Sequence, residues 1–202
     1  MPAWDRTAAA VHGQSGRNVA SEKGLVKDMA LTFEGHAIVS ADGMIADAAG
    51  EMPPALRNDA DWVQFQAALD RAAVVVLGRK GHERHPNPGR RRLVLTRKAD
   101  GLVAGGENAW FWNPKKLAVE DAFAALGIAD GVVAITGGTG TYEVFAPLMT
   151  AFVLTEVNGL VLPGGTPTFS EGHPRVVLAS LGLLPGTAEP LGSGATMTRW
   201  NR

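Results

Sequence analysis

The chain has 202 residues, a formal net charge of −1, no cysteine, 46% hydrophobic residues and 19% charged ones. This is the composition of one globular domain with a full core; it excludes disulfides, thiolate catalysis, Cys-ligated zinc and a protein built mainly to hold nucleic acid. No apolar run reaches bilayer-spanning length, so the expectation is a cytoplasmic monomer or homodimer whose partner is a small molecule, neither nucleic acid nor membrane.

Residues 1–28 have mixed charges and no apolar core, so they read as a weakly ordered arm, or as the product of an upstream start codon, ahead of a domain over 29–202. "GHAIVS" then reads as a strand, followed by the loop "ADGMIADAAGEMPPALRN", rich in Ala, Gly and Pro. "DADWVQFQAALDRA" sets Trp62, Phe65 and Leu69 on one helical stripe behind an Asn/Asp N-terminus. "AVVVLG" and "RRLVLT" are buried strands, "AWFW" a short aromatic one, and "LAVEDAFAALGI" a helix stopped by Gly127. "GVVAIT" (strand), "TYEVFAPLM" (helix) and "AFVLTEVN" (strand) follow, with closing strands expected at "RVVLASLGLL" and "ATMTRWN". Alternation of this kind predicts a three-layer α/β fold around a mostly parallel sheet.

Ligands of such sheets gather at the C-terminal strand ends. The strand before "TGGTGTYE" ends on Gly137-Gly138, with Gly140 close by and a helix start alongside. Two readings are open: a tight turn, or a backbone that phosphate can approach. Neither the dinucleotide G-x-G-x-x-G pattern nor a Walker loop is present. Arg79 and Lys80 follow another strand, and Thr96, Arg97 and Lys98 a third. Two basic loops and one glycine loop suit a phosphate-rich ligand, and the cations suit the extra phosphate of NADP. Asp59 and Asp61 open the Trp62 helix, where a cap needs no chemistry. His82 and His85 read as solvated loop residues, without the further clustered ligands of a metal site. "PGRRR" is a basic turn or an anion clamp, and Trp110 and Trp112 read as packing.

From about Gly35 to Phe169 the chain resembles the dihydrofolate reductases and their sister family, the pyrimidine reductases of riboflavin synthesis. "SADGMIAD" is similar to the first strand and loop of both, and "EMPPALRNDADWV" to the mobile Met-Pro loop and catalytic helix of the former. The resemblance implies a dihydrofolate reductase-like fold and NADPH as cofactor. It implies Asp59 as catalytic carboxylate supported by Thr155, with Met52, Pro53, Val63 and Arg90 at the substrate. It also implies Gly78, Arg79, Lys80, Thr96, Arg97, Gly137, Gly138, Thr139, Gly140, Thr141 and Tyr142 at the cofactor. In these families the two glycines join through a cis peptide whose amides face the diphosphate. Arg90 matches the arginine that grips the folate tail.

Three departures from the folate pattern stand out: Pro54 in place of a tryptophan, Gly81 in place of a threonine, and Val63 in place of an aromatic, with Phe65 nearby as substitute. In a free-standing pyrimidine reductase, Arg90 to Arg92 would serve a ribose phosphate. The chain lacks the Cys-x-x-Cys signature of the deaminase domain that riboflavin reductases carry. The expected activity is hydride transfer from NADPH to a pterin or pyrimidine ring, dihydrofolate first and the riboflavin-pathway pyrimidine second. Two other classes are a non-catalytic nucleotide binder and a structural subunit of the same fold.

Overall fold

The computed structural model describes residues 30–85 and 87–202. The expected N-terminal arm lies outside the described residues. Eleven strands and five α-helices run in the order β1 (Ala30–Ser40), β2 (Met44–Ala46), α1 (Asp59–Arg71), β3 (Val74–Gly78), α2 (Arg79–Arg84), β4 (Arg92–Leu95), β5 (Leu102–Ala104), β6 (Ala109–Trp112), α3 (Val119–Ala125), β7 (Asp130–Ile135), α4 (Thr139–Phe145), β8 (Ala151–Val157), β9 (Thr166–Pro167), α5 (Pro174–Ser180), β10 (Leu184–Gly192) and β11 (Ala195–Asn201), counted among the described residues. A nine-stranded sheet has the order β10-β11-β8-β1-β7-β3-β4-β6-β5, with β2 and β9 paired separately. The six strands from β8 to β6 in that order are mutually parallel, while β11, β10 and β5 run antiparallel at the two flanks.

Register decides which side chains meet, because alternate residues of a strand face opposite sides. On one face Val76, Val133, Ile135, Phe152 and Leu154 pack against Phe123 of α3, Phe145 of α4 and Leu178 of α5 in the main core. On the other face Val75, Leu77, Val94 and Ala134 receive Leu69 and Phe65 of α1. The sheet is therefore the middle of three layers, as the alternation of elements predicts. Among the described residues no helix is long and apolar enough to cross a membrane.

The expected strand "RVVLASLGLL" is instead α5 followed by a turn. His173 caps it, its ring nitrogen accepting from the Arg175 amide, and Pro174 occupies the first turn. Leu178 is buried, with Val177 and Leu181 packed beside it at helical spacing, so a short β-like composition yields to the phase of burial. β10 is the outermost strand of the sheet, the place where Pro185 and Pro190 are tolerated.

Candidate active site

The six parallel strands present their C-terminal ends along one edge, and α1 lies over one face of the sheet beside that edge. Asn58 caps α1 by accepting from the Asp61 amide at 3.0 Å. A helix turns 100° per residue, so residues two apart project in nearly opposite directions. Phe65 and Leu69 face the sheet, and Asp61, at i−4 from Phe65, shares their side. Asp59 is exposed, in phase with Val63, which is 67% exposed.

The Asp61 carboxyl meets Thr155, a fully buried residue on β8. The expected pairing of Thr155 with Asp59 is thereby corrected. Burial pushes the Asp61 carboxyl above its usual range, while the Thr155 hydroxyl and the charge of His36 pull it back part of the way. The Thr155 hydroxyl has no partner of full hydrogen-bond geometry. The two groups are close enough to act on each other and still have directions left for a ligand.

Beneath Asp61, the same face of β1 carries Glu34 and His36, both buried. His36 Nε2 lies 3.0 Å from Glu34 Oε1, off the angle of a full hydrogen bond, and Arg199 of β11 donates to the other oxygen. The His36 ring meets the Phe65 ring edge-on at 5.9 Å. Sequence analysis does not single out this pair, although alternation with Phe33, Ala37 and Val39 sets Glu34 and His36 on one side of the strand.

Burial alone would raise the Glu34 carboxyl, but the contacts from His36 and Arg199 win and bring it from 4.5 to about 2. An acid depressed on folding contributes stability above its unfolded pKa and loses it as pH falls through the folded value. Glu34 should thus contribute stability at pH 6 that fades below pH 4.5 towards pH 2. Glu34→Gln is expected to flatten the acid limb of the melting temperature between pH 5 and 3; an unchanged limb would remove Glu34 from it.

Three glycine or basic segments share the ligand edge. The Gly137-Gly138 peptide at the end of β7 is cis, as the resemblance implies. Gly138 heads α4 with no side-chain cap, and the space around Gly140 is open to 4 Å. Gly78 ends β3, its amide donating to Gly137 O at 3.0 Å, with Arg79 and Lys80 beginning α2. Thr96 follows β4 and accepts from the Lys98 amide at 3.2 Å, while Arg97 and Lys98 are exposed. Because β7, β3 and β4 are adjacent, the three segments form one row.

No family model matches the chain. Among curated proteins, the dihydrofolate reductases of Neisseria meningitidis serogroups A and B are each 33% identical over 121 residues, 58% of this chain and 68% of theirs. The chain belongs to the dihydrofolate reductase family.

Solved structures agree on the fold. A protein of Shewanella sp. PV-4 named for riboflavin biosynthesis has a TM-score of 0.61 at 20% identity over 85% of this chain and 98% of that one. Dihydrofolate reductase from Enterococcus faecalis, complexed with NADP(H) and RAB-propyl, gives 0.57 at 20% identity over 85% and 96%. A diaminohydroxyphosphoribosylaminopyrimidine deaminase/5-amino-6-(5-phosphoribosylamino)uracil reductase from Thermotoga maritima gives 0.60 at 15% identity over 87% and 58%.

Within this dihydrofolate reductase family member, several further expectations meet the structure. Tyr142 does not face the ligand edge: it is buried among Phe152 and Phe169 and donates to the His36 carbonyl at 2.5 Å. Burial pushes its phenol far up, with Asp61 adding to the rise. Thr141 is also buried, and the Thr139 hydroxyl donates to the Pro167 carbonyl. Val63 points to solvent, and Phe65 takes the sheet-facing position instead. Met52 is exposed and Pro53 half-buried in the loop before α1.

Arg90 borders a groove of about 720 Å³ lined by Trp62, Gln66, Asp70 and His85 among others, beside rather than over Asp61. Its guanidinium is taken by its own chain, through Asp70 at 2.6 and 3.0 Å, Gln66 at 3.0 Å and Asn87 at 3.0 Å. His82 is half-buried and packs edge-on against Phe111 at 5.7 Å, and burial pushes its imidazole down. His85 is exposed.

Proposed function

We propose that this chain is an NADPH-dependent reductase that transfers hydride to a pterin or pyrimidine ring, dihydrofolate being the first substrate to test. The observation that carries the reading is Asp61: a carboxylate turned inward beside Thr155, at the edge where the glycine turn and the basic loops converge. A carboxylate offers two acceptors to an amino group and neighbouring ring nitrogen, and burial strengthens that recognition by excluding competing water. Thr155 would orient the carboxyl, and Phe65 would give the ring an apolar wall.

The residues at the strand ends fit NADPH. Gly140 leaves the backbone approachable, Gly138 heads an uncapped helix start, and Lys80, Arg97 and Lys98 are exposed cations. When bound, the cofactor would supply hydride; Gly137 to Thr141 would hold its diphosphate, and the cations its extra phosphate. Arg79 is the weaker candidate, because Glu83 already holds it at 2.5 Å. NADPH is expected to bind more tightly than NADH by roughly 10- to 100-fold, the worth of one or two charge-assisted contacts. Calorimetry on Arg97→Ala should show NADPH weakened far more than NADH; equal losses would remove Arg97 from the phosphate site.

A second reading, a free-standing pyrimidine reductase, is favoured by Arg90. A folate tail carboxylate would have to displace Asp70 from a guanidinium whose donors are already engaged. A pyrimidine without that tail makes no such demand. The deciding experiment follows NADPH oxidation in parallel with dihydrofolate and with the riboflavin-pathway ribosylaminopyrimidinone phosphate. Turnover of the first alone supports the folate reading, and of the second alone the pyrimidine reading. NADPH binding without turnover of either would point to a non-catalytic nucleotide binder.

A further inference from the structure

The basic turn at residues 88–92 has its cations turned onto the chain itself. A guanidinium carries five N–H donors, and Arg90 makes five contacts of 3.0 Å or less with Asp70, Gln66 and Asn87. Arg91 donates to the Leu126 carbonyl at 2.6 Å and lies over the Trp110 ring at 5.7 Å. Arg92 is buried and donates to the carbonyls of Arg90 and Glu107. Among the described residues, the groove of about 720 Å³ beside Arg90 therefore offers an anion no unclaimed arginine. Its α1 wall is a single stripe, because Trp62, Gln66 and Asp70 recur at four-residue spacing. Both contacts of Asp70 with Arg90 use the same oxygen, Oδ1. That leaves Asp70 Oδ2 as an acceptor and Gln66 Nε2 as a donor, beside a Trp62 ring that is half-exposed.

We propose that this groove takes a neutral, hydroxyl-bearing side chain of the ring substrate, and that Asp70 is the specificity residue that disfavours carboxylate and phosphate tails. The ring itself would be held at Asp61, the reading on which this rests, and Trp62, next in sequence, would receive the start of the side chain. An anion in the groove would have to take donors away from Arg90 and settle against the Asp70 carboxylate, a like charge. A hydroxyl both gives and accepts hydrogen bonds, so it matches Asp70 Oδ2 and Gln66 Nε2 without disturbing Arg90. The carbon face of the same side chain would pack on the indole of Trp62. The Asp70 side chain is 67% exposed, so water screens its charge and the discrimination amounts to about tenfold in affinity. Ring compounds with anionic tails would still turn over, with a raised KM and an unchanged kcat.

The test follows NADPH oxidation by the full chain with two matched pairs of ring compounds. One pair is dihydrofolate and a dihydropterin bearing a short hydroxyalkyl side chain; the other is the ribosylaminopyrimidinone phosphate and its dephosphorylated form. In the pair that turns over, the neutral member should have a KM about tenfold lower at similar kcat. Asp70→Asn keeps the shape of the side chain and frees the charge of Arg90, so the KM ratio within the pair should fall by about tenfold. The exposed control Asp59→Asn should leave that ratio in place. A lower KM for the anionic member in the unmodified chain overturns the proposal, and so does a ratio that Asp70→Asn does not move.

A second readout needs no turnover. Calorimetry with p-aminobenzoyl-glutamate, a folate tail without its ring, should show binding to Asp70→Asn at least tenfold tighter than to the unmodified chain. Adding Arg90→Gln to Asp70→Asn should abolish the gain, because the freed guanidinium is what holds the carboxylate. Equal binding to the unmodified chain and to Asp70→Asn overturns the proposal. The two failures are separable. If no ring compound turns over yet Asp70→Asn gains the tail fragment, the reading of Asp61 fails and the role of Asp70 stands. If ring compounds turn over and the fragment binds both proteins alike, only the role of Asp70 fails.

Discussion

Asp61→Asn is expected to cut turnover by about 100-fold, while Asp59→Asn stays within about twofold of the unmodified chain. The change keeps the side chain's shape but removes its charge and one acceptor oxygen. A ligand that places a donor against each oxygen would then leave one donor buried without a partner, worth about 2–4 kcal/mol of transition-state binding. Asp59 stands on the exposed side of α1 and no such contact is open to it. Stability should separate a functional role from a structural one. Burial raises the Asp61 carboxyl, and an acid raised on folding costs stability increasingly as pH rises from its unfolded pKa, and in full above the folded one. Asp61→Asn should therefore melt at the same temperature or higher at pH 8, even as activity collapses. A variant that loses activity and stability together would point to a structural carboxylate. If Asp59→Asn is the crippling change, the assignment to Asp61 is wrong.

How far the sequence carries can be judged on this same helix. The layers and the parallel centre follow from strand and helix alternation, because buried parallel strands such as "AVVVLG" are apolar throughout and leave little choice of partner. α1 and its N-terminus are legible from Asn58 and the spacing of Phe65 and Leu69. The choice between Asp59 and Asp61 is legible too, but only through helical phase. Asp61, Phe65 and Leu69 recur at i, i+4 and i+8, whereas Asp59 falls in step with Val63. Motif alignment weighs distance along the chain from the Met-Pro loop, and the three-residue 3₁₀ turn at Pro54–Leu56 makes that distance a poor guide to direction. The partners of Arg90 are less accessible, since Gln66 and Asp70 come from α1 and meet it only after the chain has crossed β3 and α2. The Glu34–Arg199 contact joins residues 165 apart and leaves no local trace at all.

Gly137→Ala is expected to lower the melting temperature by on the order of 10 °C and to abolish measurable NADPH binding, whereas Gly140→Ala should leave the melting temperature unchanged or slightly raised. Gly137 has φ +110°, a conformation that side chains with a Cβ rarely adopt. A Cβ there would sit 2.9 Å from Tyr142 Oη and 3.3 Å from its Cζ. Tyr142 cannot retreat, because its hydroxyl is bound to the His36 carbonyl at 2.5 Å and its ring is wedged between Phe152 and Phe169. Backbone strain of about 1–3 kcal/mol and overpacking of similar size add, and each kcal/mol is worth about 2–4 °C in a chain of this length. At Gly140 a Cβ meets nothing within 4 Å, and within α4 alanine is the better helix former by about 0.5–1 kcal/mol. Its effect should fall on the ligand: a methyl group on the face where a diphosphate must approach the backbone should weaken NADPH by about tenfold or more. The pair thus separates the two open readings of the glycine turn. Gly140→Ala with unaltered NADPH affinity would mean that no phosphate approaches this backbone and that the turn serves the chain alone. Gly137→Ala with an unshifted melting temperature would mean that Tyr142 yields after all.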